Sequence, residues 1–217
     1  MATEDPETTR RARKPDEVTP TKAELTRARI LHAAAFMFQE KGYAQTRLSD
    51  IARKAETQAG SIYYHFASRE AIVAEVLEVA NARTVECVRE RLDRLPPDAS
   101  VRDRIEAAVQ GHLGLVLSGD PFTRAHMRIF DQIPKNIRDH FLGVLDEYAD
   151  VWRTLFEDAR KAGQFRSDID LSVARLLLLG MLNWAVEWYR PGRLSVEQIG
   201  HQVTALFLDG ISAPERE

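Results

Sequence analysis

The sequence contains a single cysteine, Cys87, among its 217 residues, so it cannot form an internal disulfide. A lone thiol is typical of a reducing compartment, and we expect the cytoplasm. The chain also lacks an apolar run of the roughly 20 residues that a membrane-spanning helix requires. Its longest such stretch, residues 176–182, is interrupted by Gly180, and the polar first residues contain no core of a secretory signal. These absences predict a protein without a membrane partner.

Motifs of common catalytic sites are missing as well. The sequence contains no GxSxG nucleophile elbow, no glycine-rich phosphate loop and no HExxH zinc motif. Its six histidines are scattered, without paired carboxylates at metal-ligand spacing, so neither a metal site nor a cofactor is expected. We therefore expect a protein that is not an enzyme. A helical enzyme without a familiar motif, or a helical adaptor, is the remote alternative.

The composition is that of a folded globule, with 44% hydrophobic and 29% charged residues. The charge is unevenly distributed along the chain. Residues 8–70 carry 12 basic and 7 acidic side chains, whereas residues 71–217 carry 18 and 23. A basic first part and an acidic second part fit a nucleic-acid-binding module followed by a domain of another kind.

The spacing of apolar residues from Thr21 onward predicts an all-α fold of about nine helices. Thr21 and Glu24 have the spacing of a capping box, and helices are separated by proline and glycine breaks. The most periodic stretch runs from Phe141 to Phe156 and predicts one helix of more than four turns. The helix expected over 168–189 is apolar on all sides at residues 176–179, so a second subunit is expected to cover it in a homodimer.

Three segments follow from this pattern. Residues 1–20 are polar and are predicted to be a disordered arm. The basic run Arg10–Lys14 within it is either a solvated charge run or an arm that follows DNA phosphates. Residues 21–67 are predicted to form a DNA-binding unit, and residues 68–217 a larger helical domain for ligand binding and dimerisation.

The segment from Thr46 to Phe66 predicts two short helices joined by a tight connection near residues 55–57. Ile51 and Ile62 would hold the two helices against the first long helix, and small or hydrogen-bonding side chains would then face outward on the second. This arrangement is typical of a helix-turn-helix, whose second helix enters the major groove. The outward side chains are Thr57, Gln58, Gly60, Ser61, Tyr63, Tyr64 and His65.

The same region resembles the DNA-binding domain of the tetracycline-repressor (TetR) family. The matching stretches are residues 38–43, 48–52, 60–66 and 68–71. The resemblance implies a ligand-released repressor that binds double-stranded operator DNA as a homodimer. It also implies DNA contacts from Thr46, Arg47, Thr57, Gln58, Gly60, Ser61, Tyr63, Tyr64 and His65, with Arg69 where the family usually has a phosphate-binding lysine. One of the two tyrosines is alternatively a packing residue, and His65 a hydrogen-bond donor at the helix end.

Candidate residues for an effector site lie in the second part of the chain. His112, Met127, Phe130, Trp152 and Phe156 either line a cavity or form ordinary core. Arg175 directly precedes the apolar run, where an unpaired charge is unfavourable.

Residues 184–200 further resemble TetR-family repressors that respond to acyl-coenzyme A thioesters in fatty-acid and steroid degradation. That resemblance implies that Trp184 and Trp188 flank the effector and that Arg175 or Arg190 meets a phosphate. The alternatives are that both tryptophans anchor the dimer and that the effector is a hydrophobic drug acting on a repressor of an efflux pump.

Overall fold

The computed structural model describes residues 20–211, so all but the last residue of the predicted N-terminal arm lies outside the described part of the chain. Residues 20–211 form ten α-helices and no β-strand. The helices are α1 (Lys22–Gln45), α2 (Leu48–Lys54), α3 (Ala59–His65), α4 (Arg69–Asp93), α5 (Val101–Val116), α6 (Pro121–Ile129), α7 (Lys135–Val144), α8 (Asp146–Lys161), α9 (Leu171–Trp188) and α10 (Val196–Ile211). The predicted all-α class is confirmed.

Side-chain caps fix where several helices begin. The Thr21 N–H donates to Glu24 Oε2 at 2.7 Å, and the Glu24 N–H donates to Thr21 Oγ1 at 3.2 Å, which completes the capping box of α1. Asp120 caps α6 directly ahead of Pro121, and Asp170 caps α9. Each cap satisfies backbone donors that the first helical turn leaves without a partner.

The periodic stretch 141–156 is two helices rather than one. α7 ends at Val144 and α8 begins at Asp146, with Leu145 between them. The Asn81 side chain on α4 donates its Nδ2–H to the Val144 carbonyl at 3.1 Å. A residue of another helix thus satisfies a carbonyl at the break between α7 and α8. This extra break raises the number of helices from the nine expected to ten.

The buried residues form two cores that meet along α4. The first contains residues of α1, α2, α3, α6 and α7, and the second contains residues of α5, α8, α9 and α10. α4 contributes Val73 and Val76 to the first core and Val85 and Val88 to the second. The first core therefore crosses the boundary predicted at residue 67, because α6 and α7 pack against the N-terminal helices.

Candidate functional site

The helix pair α2–α3 is held by a few buried apolar side chains. Ile51 on α2 and Ile62 on α3 are almost fully buried, and Phe66 closes the end of α3. Glu56, in the connection, has a positive φ of 50°, which turns the chain tightly between the two helices. This packing fixes α3 by its inner face and leaves its outer face free.

The outer face of α3 carries two large aromatic side chains in solvent. Tyr63 is 62% exposed and Tyr64 is 83% exposed. Gln58, at the N-cap, makes no side-chain capping bond, and no atom lies within 4 Å of a Cβ added at Gly60. An exposed aromatic pair beside small and amide-bearing residues is a surface that hydrogen-bonds phosphates and base edges and allows close approach of a groove.

The other residues expected to contact DNA divide into two groups. Arg47 is exposed beside the start of α2. Thr57, in the connection before α3, and Ser61 and His65, on α3, are half-buried. Thr46 does not belong to the exposed face. It is fully buried, and its hydroxyl donates to the Gly42 carbonyl at 2.7 Å and to the Met37 carbonyl at 3.1 Å.

Arg69 is also engaged within the protein. Its guanidinium donates to the Tyr43 carbonyl and lies 3.9 Å from the centre of the Tyr43 ring. The residue expected to meet a phosphate is thus directed in this structure toward the end of α1. The planar guanidinium explains the difference, because it bonds and stacks in one orientation, which a lysine ammonium does not.

A cavity of about 220 Å³ lies in the larger helical region, bounded by α4, α5, α6, α8 and α9. Three of the candidate effector residues line it, namely His112, Met127 and Arg175. The remaining lining residues are Asn81, Thr84, Val116, Thr123, His126, Leu145, Tyr148, Ala149, Leu176, Leu179 and Asn183. Its wall therefore combines an apolar surface with polar groups from five helices.

A hydrogen-bonded chain of three side chains crosses the cavity wall. His112 Nε2 lies 3.1 Å from Asn183 Oδ1, and His112 Nδ1 lies 2.5 Å from the Tyr148 hydroxyl. Because an amide oxygen only accepts, Nε2 carries the proton and Nδ1 accepts from Tyr148. Burial lowers the pKa of His112 to about 4, so the ring is neutral at physiological pH.

His126 stands on α6 at the same cavity. Its ring makes edge contacts with Phe130 and Phe141, at centroid distances of 5.6 and 5.1 Å. Burial lowers its pKa to about 4 as well. The cavity thus holds two neutral imidazoles. Both ring nitrogens of His112 are engaged by Tyr148 and Asn183, so His126 is the imidazole that could bind a polar group of a ligand.

Arg175 is the single basic side chain among the residues that line the cavity. It is half-buried on α9, and no hydrogen bond or ion pair is formed by its guanidinium with any residue in the range 20–211. A guanidinium near apolar surface is stabilised by an anionic partner. The cavity therefore presents a cation suited to an anionic or strongly polar ligand.

Six other candidates for the effector site lie outside the cavity. Trp152 and Phe156 are fully buried in the second core, because α8 turns that face toward α5 and α9. Phe130 packs against Phe141 in the first core, and Arg190 bonds the carbonyls of Glu187 and Tyr189 in the turn after α9. The remaining two, Trp184 and Trp188, are 67% and 51% exposed on the outer side of α9.

Sequence reasoning missed several polar residues of the cavity. Asn81, Thr84, Thr123 and Asn183 are single polar residues on mostly apolar helix faces. A polar residue among apolar neighbours is the one signal that the sequence offers for them. Asn183, which follows the apolar run of α9, carries that signal most clearly.

The outer side of α9 forms an apolar surface that nothing within residues 20–211 covers. Only Ala174, Leu178, Leu182 and Ala185 on this helix are buried. By length and composition alone α9 could cross a membrane, and only 22% of it is buried inside this fold. The apolar side chains left in solvent are Val173, Leu176, Leu177, Met181, Trp184 and Trp188, with Leu206 on α10.

Family models match both parts of the chain. Residues 30–76 match the model for bacterial regulatory proteins of the tetR family, and residues 98–211 match a tetracyclin repressor-like C-terminal domain. This chain belongs to the TetR family. Members of that family are DNA-binding transcriptional regulators rather than enzymes, and they bind their operators as dimers.

Curated relatives and solved structures agree with the family models. The transcriptional repressor KstR2 of Rhodococcus jostii is 32% identical over 195 residues, which cover 87% of this chain and 92% of the relative. The structure of the ketosteroid regulator KstR2 of Mycobacterium tuberculosis aligns with a TM-score of 0.71 at 25% identity, covering 87% of this chain and 95% of that one. AibR, solved with isovaleryl coenzyme A and operator DNA, shares the fold at 22% identity, with a TM-score of 0.73 over 83% of this chain and 97% of that one.

Proposed function

We propose that this protein is a cytoplasmic repressor that a coenzyme A thioester releases from operator DNA. The observation that carries the effector class is Arg175. Its guanidinium bonds no residue in the range 20–211 and lies in the wall of an otherwise neutral cavity. Residues 21–67 would read the operator, and residues 68–217 would bind the effector and dimerise.

The size of the cavity favours a compact acyl group. An apolar cavity of about 150 Å³ in another protein accommodates benzene. The cavity here measures about 220 Å³, enough for a fused ring or a short branched chain but not for an extended long-chain acyl group. A fused-ring acyl group is also consistent with the similarity of this chain to a ketosteroid regulator.

Polar groups in the wall favour an acyl group that carries oxygen. The Asn183 amide nitrogen can donate to a carbonyl or hydroxyl of the ligand. The Thr84 and Thr123 hydroxyls donate to the Ala80 carbonyl and to Asp120, and each can still accept from a ligand hydroxyl. A purely aliphatic group would leave the Asn183 amide N–H groups without a partner once water is displaced, which is unfavourable. The cavity therefore selects against a plain alkyl drug.

The coenzyme A part is too large for the cavity and would extend outward beside Arg175. A guanidinium binds a phosphate through two parallel N–H donors and can donate a single hydrogen bond to a thioester carbonyl. Leu176 and Asn183 line the cavity and also belong to the exposed side of α9, so the cavity lies directly beneath that surface. In the dimer a second subunit would cover this side of α9, so the anionic part of the effector would leave the cavity along the subunit interface.

Operator binding would use two copies of α3. A dimer places two recognition helices on one face of the duplex, about one helical turn apart, so the operator is expected to be an inverted repeat. Arg47 and the exposed tyrosines of α3 would meet phosphates on each half-site.

The test is fluorescence anisotropy with the DNA upstream of the protein's own gene. Coenzyme A thioesters of compact oxygenated acids should release the protein, whereas the matching free acids and hydrophobic drugs should not. Arg175→Met should weaken the response to the active thioester at least tenfold. Arg153→Met, which replaces an exposed arginine on α8 that does not line the cavity, is the control. Release by a free acid or drug alone, or by no compound of the panel, would refute the proposed effector class.

A further inference from the structure

The end of α1 is hydrogen-bonded from two sides at one residue, Tyr43. Gly42 leaves helical geometry with φ 75° and ψ 174°, and the next N–H, that of Tyr43, donates to Gln132 Oε1 at 3.0 Å. The Tyr43 carbonyl accepts from the Arg69 guanidinium at the start of α4. The helix that precedes the DNA-reading pair therefore ends in a contact that joins α1, α4 and the turn after α6.

Gln132 connects the Tyr43 backbone to α6. Its Nε2–H donates to the Arg128 carbonyl in the last turn of α6 at 2.8 Å, while its Oε1 accepts from Tyr43. A Cβ at position 42 would lie 2.7 Å from Gln132 Oε1, so a glycine at that position makes room for the amide. One side chain thus bridges α6 and α1 through both of its polar atoms.

The same helix forms a wall of the cavity. Thr123, His126 and Met127 line it from α6, whereas Ala125 and Ile129 pack in the first core that α6 shares with α1. α6 therefore contacts the effector site through one face and the DNA-binding helices through another. A shift of α6 reaches Tyr43 directly through Gln132.

We propose that Gln132 is a positioning residue that transmits occupancy of the cavity to the DNA-binding helices through the Tyr43 peptide. The inference rests on the proposed function only in that something fills the cavity, and it does not depend on the identity of the effector. When α6 is displaced, the Gln132 amide carries the Tyr43 peptide with it, and Arg69 carries the same motion to α4. Coupling of this kind requires that the two states differ in their operator affinity.

A cavity-filling substitution tests the relay without any effector. Ala149 lines the cavity from α8, and Ala149→Phe places a ring inside it. We expect this variant to weaken operator binding, within the roughly 5–150-fold range typical of allosteric coupling. Gln132→Met, which keeps the length of the side chain but neither hydrogen bond, should cancel most of that weakening in the double variant. The coupling is the ratio of the two effects in a double-mutant cycle.

Controls separate the relay from ordinary packing. Gln132→Glu can still accept from the Tyr43 N–H but cannot donate to Arg128, so it should retain part of the coupling. Gln164→Met, at an exposed glutamine in the turn after α8, should leave the effect of Ala149→Phe unchanged. Hydrogen exchange of the Tyr43 amide should accelerate in Gln132→Met and in Ala149→Phe. The acceleration should be confined to this region, whereas a loss of global stability would accelerate exchange throughout the protein.

Two results would distinguish the Gln132 relay from the effector assignment. If Ala149→Phe weakens operator binding equally with and without Gln132, or does not weaken it at all, the relay is refuted. If coenzyme A thioesters fail to release the protein while Gln132→Met still cancels the effect of Ala149→Phe, the effector assignment fails and the relay stands.

Discussion

The Cα of Gly111 on α5 lies against the backbone of Cys87 on α4. A Cβ at position 111 would stand 2.7 Å from the Cys87 carbonyl oxygen and 2.8 Å from the Val88 Cα. Both are backbone atoms, so the clash could not be relieved by rotating a side chain. The close approach of the two helices in the second core therefore depends on this glycine.

Gly111→Ala should lower the melting temperature, because α4 and α5 must separate to admit the methyl group. Overpacking of this kind costs about 1–3 kcal/mol. Gly114→Ala, on the same helix with no atom within 4 Å of the added Cβ, is the matched control. It should be neutral or raise stability by up to about 1 kcal/mol, since alanine favours a helix. Equal melting temperatures for the two variants would contradict the close approach.

Tyr64→Ala should weaken operator binding without unfolding the protein. The side chain is 83% exposed and its loss removes little buried surface. A hydrogen bond to a phosphate contributes about 1.5 kcal/mol or more, so affinity should fall roughly tenfold. Anisotropy at fixed salt measures the affinity, with Leu142→Ala, at an exposed leucine on α7, as control. An unchanged affinity would remove Tyr64 from the interface.

Thr46→Val should act on stability instead. Valine keeps the shape of threonine but leaves the Gly42 and Met37 carbonyls without their hydroxyl donor. Loss of a partner for buried polar groups costs about 1–3 kcal/mol, and the melting temperature should fall accordingly. If the variant is fully stable yet binds the operator poorly, Thr46 contacts DNA in a state that differs from this structure.

Leu177→Glu should separate the dimer. The side chain is 62% exposed on the apolar side of α9, where a carboxylate in a subunit interface would be desolvated. Sedimentation at micromolar concentration should then give a monomer, and operator affinity should collapse with the loss of the second recognition helix. Leu142→Glu, the same substitution at an exposed leucine on α7, should sediment as the wild type does. A dimeric Leu177→Glu would place the interface elsewhere.

Acid should destabilise the protein through its buried histidines. The pKa of His126 falls from 6.5 to about 4 on folding, so below pH 6.5 the unfolded chain binds a proton that the folded one does not. Stability is therefore full above pH 6.5 and declines as the pH drops toward 4, by about 3 kcal/mol for this residue. His126→Phe keeps the ring contacts and should flatten the decline of the melting temperature, whereas His140→Phe, at an exposed histidine, should not.

Local chemistry made much of the fold predictable from the sequence. The capping box at Thr21, the cap at Asp120 and the two short helices before Phe66 depend on residues within a few positions of one another. The break at Leu145 was not predictable, because the Asn81 amide that takes the Val144 carbonyl comes from a helix more than 60 residues away.

The candidate site was predictable only in part, for a related reason. Hydrophobic spacing identifies α9 as apolar but does not fix its rotation. The structure turns Arg175 toward the cavity and both Trp184 and Trp188 away from it. The roles of Thr46 and Arg69 likewise depend on where the end of α1 lies, which no local pattern specifies.

With the apolar side of α9 in the subunit interface, operator binding would depend on the number of copies in the cell. When folding and assembly are linked, each tenfold dilution removes about 1.4 kcal/mol from the free energy of unfolding of a dimer. A promoter under this repressor would therefore respond to the rate at which the protein itself is made, since scarce subunits neither pair nor occupy both half-sites. The number of gene copies would therefore set the effector concentration needed to release the operator.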